Sequence, residues 1–275
     1  MRNQLTRFVC GGRPCLLPLL FLIWTAPVAW SQGAEPREHF QLKIGASYDE
    51  GHFGSSGTTK VLFTPVTLRY LGNRFDVSVT PSFALMNSPG GVRLVDRVPT
   101  PIGRPPALIQ DTRSGVGDTL VRGRVRLLEE GTTLPALSPF VQVELPTARE
   151  NLDLGTGKTD YGFGLEVDKQ FSPVLLFGDL RYTVIGNVVG LDLQNRVGAS
   201  FGVGKRLSDS LVLSGLLDWR RSIVRGSENP TELVGVITYR LSRTVTVSPN
   251  AYFGLTNSSP DFGGGIELAF RFGSY

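Results

Sequence analysis

A chain of 275 residues with 41% hydrophobic residues is too polar for a bundle of membrane helices, and long enough for one large all-β domain or two ordinary ones. Its 33 glycines, 16 phenylalanines and 7 tyrosines suit strands, turns and aromatic girdles. The formal charge of +4 arises from 28 basic and 24 acidic residues, three of the basic ones in an N-terminal stretch without acids, so the rest is nearly neutral and offers no basic surface for nucleic acid.

That stretch has the form of a signal peptide over residues 1–31. Arg2, Arg7 and Arg13 precede an apolar run from Leu16 to Trp30, which ends in the small-x-small pattern Ala29-Trp30-Ser31. Pro18 and Pro27 break the run and shorten it, against a retained spanning helix. Cys10 and Cys15 both lie before the apolar run, inside the expected signal peptide. The mature chain, 32–275, is therefore expected to lack disulfides and thiolate metal sites, as suits passage through a periplasm unfolded.

From residue 39 onward the period of apolar residues is two. The first strand, about 40–48, sets Phe40, Leu42, Ile44 and Tyr48 against Gln41, Lys43 and Ser47. The second and third are expected at 59–71 and 74–86, and the fourth from Asp118 to Leu128, where Val121, Val125 and Leu127 alternate with Arg122, Arg124 and Arg126. The fifth, sixth and seventh fall at 138–146, 160–171 and 174–186, the eighth and ninth at 193–206 and 211–222. The last three fall at 232–241, 245–255 and 264–272.

Connections between these strands alternate in length. Those at 49–58, 87–117, 147–159 and 223–231 are long, with shorter ones at 187–192 and 256–263. Between them come tight turns at Gly72-Asn73, Ser172-Pro173, 208–210 and 242–244, with 129–137 the exception. A soluble sandwich has no reason for this rhythm, whereas a membrane barrel has a rim of turns and a rim of loops. The fold class expected is all-β: a transmembrane antiparallel β-barrel of about twelve strands, whose even count places both termini on the periplasmic side of a bacterial outer membrane. The final strand carries Gly265-x-x-Leu268-x-Phe270 with Phe272 in phase and Tyr275 out of phase, which resembles the assembly signal read by the barrel-assembly machinery.

Three segments resemble one family. Ser114-Gly115-Val116-Gly117-Asp118, Val143-Glu144-Leu145-Pro146-Thr147 and Leu154-Gly155-Thr156-Gly157-Lys158-Thr159-Asp160-Tyr161-Gly162 occur in the order found in outer-membrane proteins grouped under the meta-pathway of phenol degradation. Ala148 stands where that family commonly has glycine. The resemblance covers about 114–186 best, and implies a barrel that takes up hydrophobic or aromatic compounds.

By phase, ionic residues face inward. Arg122, Arg124 and Arg126 form a ladder on the fourth strand, and Glu144, Glu166, Asp168 and Asp179 face it from the fifth to seventh. Arg181, Arg196, Arg220 and Arg240 follow on later strands, with Asp218, Glu267 and Arg271. Such charges either brace a narrow interior by pairing, because an unpaired buried ion is costly, or line a pore that selects solutes by charge. Twelve strands lie between the side-chain-filled barrel of eight and the open channel of sixteen. The expected function is a channel or transporter for small, hydrophobic or aromatic solutes. The alternatives are a structural or surface-contact barrel, and a membrane-embedded lipid hydrolase. The last would draw on His39 or His52 with Ser55 and Ser56, which show no arrangement beyond a Gly/Ser-rich loop. Gly157-Lys158-Thr159 lacks both the upstream glycine and the following helix of a phosphate loop. Nothing in the pattern calls for a cofactor or a metal. The loop at 87–117, with Pro99, Pro101, Pro105 and Pro106, could fold inward as a gate or stand outside as a contact surface.

Overall fold

Backbone groups inside hydrocarbon find no water, so a sheet that crosses it must pair at every edge. The computed structural model describes residues 38–55, 57–101, 110–188 and 191–273, which leaves the expected signal peptide, Pro105, Pro106 and Tyr275 outside the described residues. In chain order the strands are β1 (His39–Gly51), β2 (Thr59–Leu71), β3 (Phe75–Thr80), β4 (Ser82–Pro89), β5 (Val92–Val95), β6 (Val98–Pro101), β7 (Gln110–Val116) and β8 (Thr119–Val125). They continue as β9 (Ala136–Leu145), β10 (Asp160–Phe171), β11 (Val174–Val184), β12 (Arg196–Arg206), β13 (Leu211–Arg220), β14 (Thr231–Arg240), β15 (Val245–Gly254) and β16 (Phe262–Phe272). All but β5 and β6 belong to one antiparallel sheet, closed because β1 pairs with both β2 and β16: Leu42 lies opposite Leu68 on one side and Phe270 on the other.

The wall has twelve staves, because β3 with β4 and β7 with β8 are each one stave broken in the middle. Pro81, with no N–H to give, separates the first pair, and its carbonyl accepts from Val66 N–H at 3.0 Å. Phe83 pairs with Val116 and Thr80 with Leu120, so Pro81 and Ser82 face Gly117, Asp118 and Thr119: a β-bulge. The extra residue flips the phase, so Arg113 and Gly115 face inward from β7 but Leu120, Arg122 and Arg124 from β8.

The expected alternation holds across the wall. Val141, Leu180 and Phe201 are more than 60% exposed in the isolated chain and form part of an outward apolar belt. Inward neighbours such as Ser138, Asp179 and Asn250 are buried. Rings flank the belt. Phe40, Tyr70 and Phe75 stack in series at 5.1 and 5.7 Å near the tight-turn rim, and Phe163 meets Tyr182 at 5.5 Å towards the other. Tight turns at 72–74, 172–173, 207–210 and 241–244, together with the longer 126–135, occupy one rim, and the longer connections occupy the other.

One connection departs from expectation. The third stave runs on to Pro89 and the fourth begins at Gln110 rather than Asp118, so the loop expected at 87–117 is shorter than read from sequence. Its described part is the β5–β6 hairpin, which folds into the lumen. Val92 and Leu94 pack against Val61, Phe63, Ala84 and Met86 on the inner wall, with Ala148 and Leu154. The second stave was read with one apolar face, yet Val61, Leu62 and Phe63 are apolar on both, because the inward pair receives the hairpin.

Leu180 lies midway along β11 with its side chain outward. Leu180→Arg is expected to destabilise the folded barrel by about 2–4 kcal/mol, the cost of an arginine near the bilayer midplane, measured by reversible urea unfolding in phospholipid vesicles. Leu175→Ala on the inward face would spare that lipid-facing cost.

Candidate functional site in the barrel lumen

Because directly paired residues share a face, the register stacks the inward side chains in layers. One row runs Glu166–Asp179–Ser200–Asp218–Glu232 across β10 to β14. Two residues nearer the loop rim, Arg181 and Arg220 flank Gly198. Two residues nearer the turn rim, Phe177, Gly202, Leu216, Val234 and Tyr252 form an apolar row. The lumen is thus banded into arginine, carboxylate and hydrocarbon. Glycines make room for the bands: a Cβ on Gly202 would overlap the Phe177 ring, and one on Gly263 the Tyr252 ring.

The charged bands pair along the wall. Arg181 bonds Asp179 at 3.0 Å and also Asp218; Arg220 reaches Asp218 at 3.0 Å and also Glu232; Ser200 donates to Asp179. A second chain crosses β2, β3, β8 and β10. Asp76 holds Arg69 at 2.8 Å and Arg124 at 2.6 Å, and Glu166 holds Arg124 at 2.8 Å and Arg122 at 2.6 Å. Arg122 also lies 3.8 Å above the centre of the Phe140 ring. Glu166 and Asp179, directly opposite in the ladder, bring the two chains together.

Above this wall sits the hairpin tip. Val95 pairs with Val98, so Asp96 and Arg97 form a two-residue turn, both with positive φ (46° and 61°). Arg196 Nη1 donates to Asp96 Oδ2 at 2.7 Å, and Val95 packs against Ile185 and Ile223. Burial pushes the Asp96 carboxyl up, but Arg196, Arg97, Arg220 and Arg181 outweigh it and hold it below the usual carboxylate range. The pair therefore persists above that lowered value and is lost only as pH falls through it. The hairpin root is held separately. Asp153 accepts from Arg93 at 2.6 Å and Arg113 at 2.5 Å, and its carbonyl accepts from Leu94 N–H at 2.9 Å. Between hairpin and wall lies a cavity of about 210 Å³.

Of the ionic residues singled out by phase, Glu166, Asp168, Asp179, Arg181 and Arg220 border this cavity, with Asp218. Arg122 and Arg124 stand behind Glu166, and Arg196 holds the tip. Glu144 is buried opposite Asp160 at the loop end of β9, and Glu267 pairs with Lys43 at 3.0 Å. Arg126, Arg240 and Arg271 lie at the turn rim, apart from the cavity. Asp76, Arg69 and Glu232 belong to the same networks and were legible by the same phase, since each alternates with an outward apolar neighbour. The apolar row and the Asp96–Arg196 contact were not read from sequence. In the first loop, His52 Nδ1 lies 3.1 Å from Asp261, while the Ser55 hydroxyl is 2.7 Å from the carbonyls of His52 and Gly57 rather than aimed at the imidazole.

A closed barrel with an apolar belt outside and paired ions inside has the fold of an outer-membrane β-barrel. The chain belongs to the family described as "Putative MetA-pathway of phenol degradation", whose model matches residues 31–272. Among solved structures it is similar to an outer membrane channel from Pseudomonas putida F1 (15% identity, 90% of this chain and 99% of that one, TM-score 0.62). It is also similar to the NanC porin (11% identity, 85% and 100%, TM-score 0.52).

The three family segments meet at the bulge. Ala148 N–H donates to Asp118 Oδ1 at 2.9 Å, Thr147 Oγ1 donates to the Gly117 carbonyl at 2.9 Å, and a Cβ on Gly155 would overlap the Asp118 carboxylate. Gly157, with φ of 67°, lies in the turn before β10. Asp118 thus pins the 146–159 loop, whose Asp153 grips the hairpin. Asp118→Ala leaves the Ala148 N–H without its acceptor in a buried site. It is expected to cost about 1–3 kcal/mol and to lower the temperature at which the barrel loses its heat-modifiable migration on gels.

Proposed function

We propose that the chain is a passage through the outer membrane for small solutes, hydrophobic or aromatic ones among them, with its long loops at the cell surface and both termini in the periplasm. The observation that carries this reading is the banded cavity beneath the hairpin, where Phe177, Leu216, Val234 and Tyr252 offer hydrocarbon beside an ion-paired wall. Its volume of about 210 Å³ suits a small solute, since pockets for drug-sized ligands measure roughly 300–1,000 Å³. The P. putida relative in fold is an outer membrane channel, which supports the same class. Within this reading Glu166, Asp168, Asp179, Arg181 and Arg220 line the path, and Arg196 holds its gatepost. Arg122 and Arg124 brace the wall and set its charge, with Arg126, Glu144, Arg240, Glu267 and Arg271 placed along the inner face towards the rims. The last strand, β16, is the segment that the assembly machinery engages, and the signal peptide delivers the chain to it.

A second reading, a barrel that braces the envelope without transport, draws on the saturation of Arg122 and Arg124 by Glu166 and Asp76. Planar bilayers separate the two. Discrete conductance steps from the purified protein, and entry of small aromatic solutes into liposomes, are expected; absence of both retires the transport reading. Neutralising Arg122, Arg124 and Arg126 together should shift the reversal potential towards cation preference, and an unchanged value would assign them to bracing alone. For orientation, a protease site inserted at 221–230 should be cut on intact cells, and one at 207–210 should not.

A further inference from the structure

We propose that Arg196, at the loop end of the lumen above the arginine band, is a carboxylate-binding site filled in cis by Asp96, and that a solute with one carboxylate on an apolar body opens the passage by taking Asp96's place. The proposal rests on the channel reading above and names the chemistry that the channel admits.

The hairpin is fastened unevenly. Its root has the Arg93–Asp153 and Arg113–Asp153 pairs, the Leu94 N–H to Asp153 carbonyl bond, and the apolar cluster around Met86. Among the described residues its tip has one ion pair, Asp96 to Arg196, and the contact of Val95 with Ile185 and Ile223. The tip turn also places two non-glycine residues in the left-handed region, a conformation that persists only while its surroundings enforce it. Movement therefore begins at the tip.

What can move it follows from Arg196. The residue is 4% exposed, and Asp96 is the ion partner it has among the described residues. Its Nε, like that of Arg97 on the tip, has no hydrogen-bond acceptor among the described residues, so donor capacity is left over beside the carboxylate. The nearby Asp160 accepts from Gly186 N–H at 2.7 Å and makes no ion pair with Arg196 among the described residues. If the tip withdrew before a neutral solute, Arg196 would stay buried without a counter-ion, the costly state for any enclosed charge. An ammonium solute would add a second cation. A carboxylate solute exchanges one anion for another, keeps the guanidinium satisfied through a two-pronged contact, and leaves the net charge of the lumen unchanged. Ile185 and Ile223, which Val95 covers while the tip is in place, then receive its apolar body.

The test is single-channel recording of the purified full-length protein in planar bilayers with benzoate, benzyl alcohol or benzylamine as probe. Benzoate should raise the open probability by roughly tenfold over either of the others, as a ligand must when it favours one of two states. Asp96→Asn, which weakens the tethered competitor, should lower the benzoate concentration needed for half the effect. Arg196→Met should abolish the benzoate response. Folding of each variant is checked by heat-dependent gel migration, and the three-probe comparison on the unmodified protein stands even if a variant fails to assemble. Equal opening by benzyl alcohol, or a wild-type benzoate dose response in Asp96→Asn, overturns the proposal. Steady conductance indifferent to all three probes overturns it and leaves the channel reading standing. Silence from every form under every probe sinks both.

Discussion

The constraint on which the structure depends is that ions enclosed by this wall must neutralise one another where they stand. Lipid outside turns the charged side chains of the staves inward except near the rims, where Glu50, Lys60 and Lys205 face out, and a lumen of twelve staves is too narrow to hydrate them all. The chain meets this by putting opposite charges two residues apart or on neighbouring strands. Asp179 and Arg181 share β11, Asp218 and Arg220 share β13, and the pairs interlock across β12. Glu166 serves two arginines of β8 at once. Pairing of this kind adds little net stability against an apolar interior, since desolvation offsets the attraction. It fixes positions instead. Each guanidinium is held against its neighbour, so the bands of arginine, carboxylate and hydrocarbon stay in register around half of the barrel.

The same logic explains where the segments shared with the family fall. A bulge at Gly117–Asp118 gives the fourth stave its change of phase, which turns Arg113 inward above the break and Arg122 and Arg124 inward below it. Without the extra residue, one set or the other would point into lipid. At the bulge the Gly117 carbonyl accepts from the Thr147 hydroxyl, and the Asp118 carboxylate accepts from Ala148 N–H. The 146–159 loop, once fixed, presents Asp153 to Arg93 and Arg113. The segments that carry the family resemblance thus form a joint that orients the hairpin. Its role in passage is indirect.

How much of this was legible is decided by range. The outward face of each stave was readable because Tyr161, Phe163 and Leu165 alternate with Asp160, Gly162 and Gly164 inside one short segment. The inward charges followed from the same parity. Layering was not readable, since whether Phe177 sits beside Leu216 or Asp218 depends on the register of three strands, which no single strand encodes. Parity also misled locally, because Pro81 and the bulge break two staves that read as shorter ones, and the β7 segment passed for loop. The Asp96–Arg196 pair joins positions a hundred residues apart through a hairpin whose fold depends on the inner wall. A clue was present in Val61 and Phe63, apolar residues at inward positions, which demand an apolar partner inside the barrel.

That demand is why the hairpin belongs in the lumen rather than outside it. Val61, Phe63, Ala84 and Met86 form a greasy patch on the inner wall, separate from the Phe177–Tyr252 row, and Val92 and Leu94 cover it. Left open to water, the patch would forgo the stabilisation that covering apolar surface brings, about 25 cal/mol for each Å². Burial there is insensitive to charge, so it holds the root whatever occupies the arginine band. The tip is held among the described residues by the Asp96–Arg196 pair and the packing of Val95 on Ile185 and Ile223, and responds to whatever competes for Arg196. A hydrophobic hinge and an ionic latch on one short hairpin give the barrel a part that can yield at one end without coming loose at the other.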